Sequence, residues 1–418
     1  MITERTKSIL LLTSYFTKSS DRDIKPLSTS EWNRLVRWLQ SKSINPEDFL
    51  MQDLKLLLND WNDKAITSER IISLLERKSG LAIALEKWTK SGIWIISRGD
   101  KPYPKKIKER LKENAPPIFF GIGNIELFNN KYIGVVGSRK TSEKELFDTK
   151  TIGKDIYKNG YGVVSGGAKG VDESAMLGAL EANGYCIGYV ADSLILKSTS
   201  NIYRKYILEK KLVLVSPYNP EAGFNVGNAM ARNKLIYTQS DATIVVKSDT
   251  KGGTWEGAKE NIKKHWVPIW VVDNNEKGNE EIIKLGAKKL LNIKELNIDE
   301  LTKVNTIQEK DLDLFSSMKQ ESVLNEKNTE EIFQTTNNNN EIKIQIKEAS
   351  LFDLFIVKVI DLFKNKSVTK KEMQEQLQIT NSQLDEWLKT GTEKEYIIKK
   401  SKPVSFMINP NKRISVIL

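Results

Sequence analysis

The apolar positions of this chain change their period twice. Over residues 1–92 they recur at helical spacing. In STSEWNRLVRWLQ, Trp32, Leu35, Val36, Trp38 and Leu39 follow a Ser/Thr cap with a glutamate in the first turn. NPEDFLMQDLKLLLNDW and TSERIISLLERKSGLAIALEKWTKSG continue that pattern, punctuated by Gly80 and Gly92. The segment is predicted to be a small helical accessory domain without chemistry of its own. From residue 93 the period shortens. IWIIS and PPIFFGIG are strand-like, and then YIGVVGS, GVVSGG, YCIGYVA, KLVLVSP, DATIVVK and WVPIWVV alternate with amphipathic stretches such as SEKELFDTKTIGKDIYKNG and TWEGAKENIKKH. Near-continuous apolar strands between helices predict a parallel sheet covered on both faces, a Rossmann-like α/β core within residues 93–295.

Order is then lost. Residues 296–347 contain an asparagine tract and few aromatics, and are predicted to be a flexible linker. Within residues 348–418 a compact pattern returns. LFDLFIVKVIDLFK reads as an apolar helix, TKKEMQEQLQ and NSQLDEWLKT as a helix pair, and EYIIKKSKPVSFMIN as a hairpin, the order of a winged helix.

Charge and composition narrow the chemistry. The formal charge of +11 on 418 residues favours a polyanionic partner. Cys186 is the only cysteine and His265 the only histidine, so neither a disulfide framework nor a Cys/His metal cluster is expected. A Ser-His-Asp triad would have to be assembled around His265, which reads instead as a polar residue at a helix end. SILLLTSYF is too short for a signal peptide or a bilayer span, and a cytoplasmic, non-membrane protein is expected.

Three stretches at strand-to-helix turns carry candidate chemistry. Gly137, Ser138, Arg139 and Lys140 follow the strand YIGVV, Ser165, Gly166, Gly167 and Lys169 follow the next, and NAMARNK supplies Asn228, Arg232, Asn233 and Lys234. In an open parallel sheet, ligands bind outside the carboxyl ends of the strands. Glycines there allow tight turns, helix N-termini offer N–H donors to oxyanions, and arginine adds a fork suited to phosphate. Asp172, in the first turn of the second helix, reads as an acid favouring a helix N-terminus. Neither glycine turn is a G-x-G-x-x-G or a G-x-x-x-x-G-K-[ST] fingerprint, so a chain of phosphates is expected before a dinucleotide, and no cofactor is called for.

GVVGSRKTS, VVSGGAKGVDESAMLGAL and ARNKLIYTQSDATIVV, with the lead-in RGDKPYPKKIKERLKENAPPIFFGIGN, resemble the successive motifs of the DNA-processing protein A (DprA/Smf) family over residues 95–272. The resemblance implies a non-catalytic protein that binds single-stranded DNA, dimerises and helps to load a RecA-type recombinase, in transformation or in phage defence. It carries DNA contacts over to Ser138, Arg139, Ser165, Gly166, Lys169, Arg232 and Asn233. This chain departs from the family pattern at Lys169, where arginine is usual, in RNKLIYTQS for RNRIIAGLS, and in LILKSTSN, where the family is proline-rich.

A rival reading comes from KGGTWEGAKE, which is similar to the PGGxGTxxE signature of the lonely-guy nucleotide phosphoribohydrolases. There Gly252, Gly253 and Thr254 would cradle a phosphate, with Glu256 as general base or ribose ligand. The spacing is one glycine short, and Lys251 replaces the proline. A nucleotide sensor without turnover lies between the two readings.

Overall fold

The computed structural model describes residues 2–16, 24–303, 341–345, 356, 359, 367–377, 381–393, 396–401, 404–408 and 413–417. The chain divides into two compact units, Met1–Asp311 and Leu312–Leu418.

The first unit is built on nine strands: β1 (Trp94–Ser97), β2 (Ile118–Gly123), β3 (Tyr132–Val136), β4 (Gly162–Ser165), β5 (Cys186–Tyr189), β6 (Leu212–Ser216), β7 (Ala242–Val245), β8 (Ile269–Val272) and β9 (Lys288–Leu290). Their order in the sheet is β1-β2-β6-β5-β4-β3-β7-β8-β9. From β6 to β9 all neighbours are parallel, whereas β2 joins β6, and β1 joins β2, antiparallel. Every residue of β3, β4, β5, β6, β7 and β8 is buried, which explains why these strands read as unbroken apolar runs instead of alternating ones.

Helices cover both faces. On one lie α7 (Lys105–Leu111), α12 (Val226–Gln239), α13 (Gly253–Lys264) and α14 (Lys277–Lys284), which bury Ile107, Leu235, Ala258 and Ile282 in one apolar cluster. On the other lie α8 (Glu143–Lys158), α9 (Val171–Glu181), α10 (Leu194–Thr199) and α11 (Asn201–Leu208). The N-terminal helices α1 (Glu4–Thr13), α2 (Thr29–Ser41), α3 (Asp48–Met51), α4 (Leu54–Leu57), α5 (Ser68–Leu75) and α6 (Lys78–Lys90) share the apolar cluster of this second face. Trp88 of α6 is fully buried and meets Phe120 of β2 edge-on at 5.1 Å between ring centroids. The change at residue 93 is therefore one of element type, not a break in packing.

The sheet unit also runs past residue 295. In α15 (Ile298–Thr302) Ile298 and Leu301 are buried, and the Leu301 carbonyl accepts a hydrogen bond from Trp270 Nε1 at 3.0 Å. The remainder of the expected linker lies mostly outside the described residues.

In the second unit, α16 (Lys370–Leu377) and α17 (Asn381–Glu393) precede an antiparallel hairpin of β11 (Ile397–Ser401) and β12 (Val404–Ile408). A parallel pair, β10 (Glu341–Gln345) with β13 (Arg413–Ile417), completes the elements described there. Leu384 and Leu388 of α17 are buried, while Asp385 is exposed and pairs with Lys370 at 2.7 Å. The apolar helix expected at LFDLFIVKVIDLFK falls largely outside the described residues.

No helix among the described residues is long and apolar enough to cross a membrane.

Candidate nucleic-acid interface

Chain direction across the sheet reverses at β3: β4, β5 and β6 follow on one side, β7, β8 and β9 on the other. Loops leaving β3 and β7 therefore diverge to opposite faces, into α8 and α13, and leave a crevice at the carboxyl ends of the strands. The Ser138 N–H donates to the Lys247 carbonyl at 2.9 Å, extending the β3–β7 pairing into these loops. Buried Asn279 holds the β7 loop from below, bonding Val246 O, Val272 O and Ser248 N. The crevice has a volume of about 360 Å³. Its walls include Gly137, Ser138, Arg139 and Lys140 from the β3 loop, Phe224, Met230, Arg232 and Asn233 from α12 and its lead-in, and Asp249 and Lys251 to Thr254 from the β7 loop.

Each wall has a local cause. Ser142 caps α8 in a reciprocal capping box with Glu145, so the β3 loop ends at a defined point. Asn225 caps α12 by accepting from the Asn228 N–H at 3.0 Å. Gly252, at φ +98°, supplies the left-handed turn into α13, and the Gly253 carbonyl accepts from Asn233 Nδ2 at 2.9 Å. That bond ties α12 to the first turn of α13, whose free N–H groups face an anion favourably.

Arg232 lies against this cleft and is only 4% exposed. Its Nη1 stands 3.9 Å from the Asp172 carboxylate, beyond hydrogen-bonding distance, and Nε and Nη1 have no hydrogen-bond partner among the described residues. Burial pushes the Asp172 carboxyl above its ordinary range, against the opposing pull of Arg232 and of the Ala168 and Gly137 N–H groups. Burial equally draws the Arg232 guanidinium below its ordinary value, with Asp172 opposing. A buried, under-bonded guanidinium is costly. Arg139, Lys140 and Lys251 of the cleft lining are exposed, as is Lys169 next in sequence to the lining residue Ala168, and no ion pair with a described residue engages them.

Residues 94–300 match the family described as DNA recombination-mediator protein A. The DNA processing protein DprA of Streptococcus pneumoniae is 30% identical over 197 residues, 45% of this chain and 68% of that protein. The chain belongs to the DprA/Smf family. The Bacillus subtilis DprA is 26% identical over 212 residues, 49% of this chain and 71% of that protein. In fold, the chain is similar to the X-ray structure of the S. pneumoniae DprA, with a TM-score of 0.54 at 18% identity, over 69% of this chain and 95% of that one.

The residues expected at the site, from both readings, separate into those that line the cleft and those that do not. Gly137, Ser138, Arg139, Lys140, Arg232, Asn233, Gly252, Gly253 and Thr254 line one cleft. Ser165, Gly166 and Gly167, expected among the phosphate-facing groups, are buried instead. The Ser165 hydroxyl donates to the Val135 carbonyl at 2.6 Å, and a Cβ at Gly166 would overlap the Arg232 guanidinium. These residues hold the site from beneath. Lys169 is exposed on the loop into α9, while Asn228 and Lys234 are outside the cleft lining. Glu256 also lies outside it, exposed and 3.6 Å from Lys259. His265 is exposed at the end of α13.

Sequence reasoning passed over Phe224, Val226 and Met230, all exposed on the cleft wall. The signal was available: FNVGNAM places large apolar residues beside a helix cap, where a solvated surface is normally polar. Asp172, read as a helix-start acid, is the buried partner of Arg232.

Proposed function

We propose that this chain binds single-stranded DNA in the β3–β7 cleft and performs no reaction on it. The observation that carries the reading is Arg232: a buried guanidinium, ion-paired with Asp172 but with two nitrogens that make no hydrogen bond among the described residues, set against a cleft with cations on its rim. Phosphates run along Arg139, Lys140, Lys169 and Lys251, and Ser138 and the first turn of α13 add neutral donors. Asn233 acts by fixing the α13 turn through Gly253.

Family membership supports the partners of this reading: a RecA-type recombinase and a second copy of the chain, in the cytoplasm. The helix pair and hairpin of the second unit serve in it as a winged-helix module. The phosphoribohydrolase alternative is weakened by Glu256, the carboxylate it requires, which stands outside the cleft.

A titration at fixed ionic strength tests the proposal with an oligothymidylate, a duplex of equal length and nucleoside monophosphates as ligands. Tight binding of the single strand is expected. Tight binding of the mononucleotide alone contradicts the proposal.

A further inference from the structure

Two of the cations on α7 pin it to the carboxyl-terminal end of α12. Arg110 donates to the carbonyls of Thr238, at 2.9 Å, and of Ser240, and Lys106 pairs with Asp241 at 2.7 Å. Ile107 and Leu111 are buried beneath. The remaining cations face solvent. Lys105, Lys108 and Lys112 are exposed at spacings of three and four residues, so they share one helix face. None forms an ion pair with a described residue, and Glu109 is the one acid on the helix. Like charges so placed repel one another, and nothing in the folding of the unit requires them.

We infer that Lys105, Lys108 and Lys112 form a second phosphate-binding surface, which holds a single strand after it leaves the cleft. The inference rests on the single-strand reading above and adds to it a place for the strand beyond the β3–β7 cleft. Continuity along α12 supports this ligand. Met230, on the cleft wall, and Ala231 are exposed, and Lys234 follows on the same helix face, half-buried and without an ion pair to a described residue. Thr238, one turn further on that face, is buried where α7 packs. The outer face of α12 therefore leads from the cleft past Lys234 to α7, and its 14 residues span about 20 Å at roughly 1.5 Å each. A strand that covers this distance needs about six phosphates at the 3.4 Å spacing of a stacked strand, and fewer when extended. Lysines meet phosphates as point charges, so the surface is indifferent to base sequence.

The test compares oligothymidylates of about 5 and about 30 nucleotides, the first filling the cleft alone and the second long enough to reach α7. Affinity is titrated against salt for the full chain, for a Lys105→Gln, Lys108→Gln, Lys112→Gln triple variant and for a control. The control neutralises three exposed lysines of the other face, by Lys154→Gln, Lys158→Gln and Lys210→Gln. Thermal melting confirms that both variants fold. The long oligomer is expected to show a steeper salt slope than the short one by about 2, three contacts at about 0.7 each. The α7 variant should lose that difference and bind the short oligomer unchanged, whereas the control keeps both slopes. An unchanged slope on the long oligomer overturns the inference and leaves the stripe to a different acidic partner or to solvent. Equal flattening on the short oligomer, or by the control, overturns it as well, since net charge alone then explains the effect. The cleft reading stands in each of these cases if Arg139→Ala still weakens the short oligomer. If the wild-type chain binds no single strand, that reading fails and the second surface with it.

Discussion

The guanidinium of Arg232 occupies the space in which a side chain at Gly166 would stand. Read from the sequence alone, Gly166 clears the way for a ligand backbone; in the fold it clears the way for an arginine. Gly166→Val therefore acts on stability before it acts on binding. Overpacking against a buried, charged neighbour is expected to cost on the order of 3 kcal/mol, read as a lowered urea midpoint. A variant as stable as wild type would show that Arg232 has room to leave.

The exposed cations should appear in the salt dependence. If Arg139, Lys140, Lys169 and Lys251 each meet one phosphate, log affinity against log salt falls with a slope of about −3, at about −0.7 per contact on single strands. Lys169→Ala should flatten the slope by about 0.7 and weaken all sequences alike, since phosphate contacts carry no base information. A slope unchanged by both Lys169→Ala and Arg139→Ala would mean that these residues merely face solvent.

Glu31 in the N-terminal helices should make stability fall in acid. Burial raises the Glu31 carboxyl, but hydrogen bonds from Arg70 and from the Ser28 backbone and side chain outweigh it and hold the pKa at about 2. The lowered pKa means that this contribution is present above pH 4.5 and is lost as pH falls towards about 2. Glu31→Gln should lower stability at pH 7 by on the order of 2 kcal/mol and make little difference near pH 2, by urea denaturation at the two pH values. An equal loss at both would place the effect in packing instead of charge.

The second unit is expected to add little to DNA affinity. Its α17 buries Leu384 and Leu388 and commits Asp385 to Lys370, the reverse of a cationic groove-reading face. Removing residues 345–418 should leave single-strand affinity within about threefold in an anisotropy titration. A hundredfold loss would make Lys399, Lys400 and Lys402 of the hairpin segment the principal contacts.

Much of the fold was legible because β3 to β8 are buried on both faces and leave uninterrupted apolar runs. The antiparallel docking of β1 and β2 at the β6 edge was not, since strand order depends on contacts distant in sequence. At the site, residue types and turn positions were readable, but depth was not. Arg139 and Arg232 look alike in sequence, yet one is exposed over Phe224 and the other is buried beside Asp172. Only the third dimension distinguishes a contact from its support.

Photo-crosslinking is the most direct test of where the strand lies. An oligothymidylate carrying 5-iodouracil is irradiated with the protein, and the joined peptides are mapped by mass spectrometry. The account predicts crosslinks in residues 137–140 and 222–234, the two walls that hold Arg139 and Phe224, and their loss on competition with unlabelled single strand. Crosslinks confined to residues 1–92 or 381–417, at undiminished affinity, would contradict it.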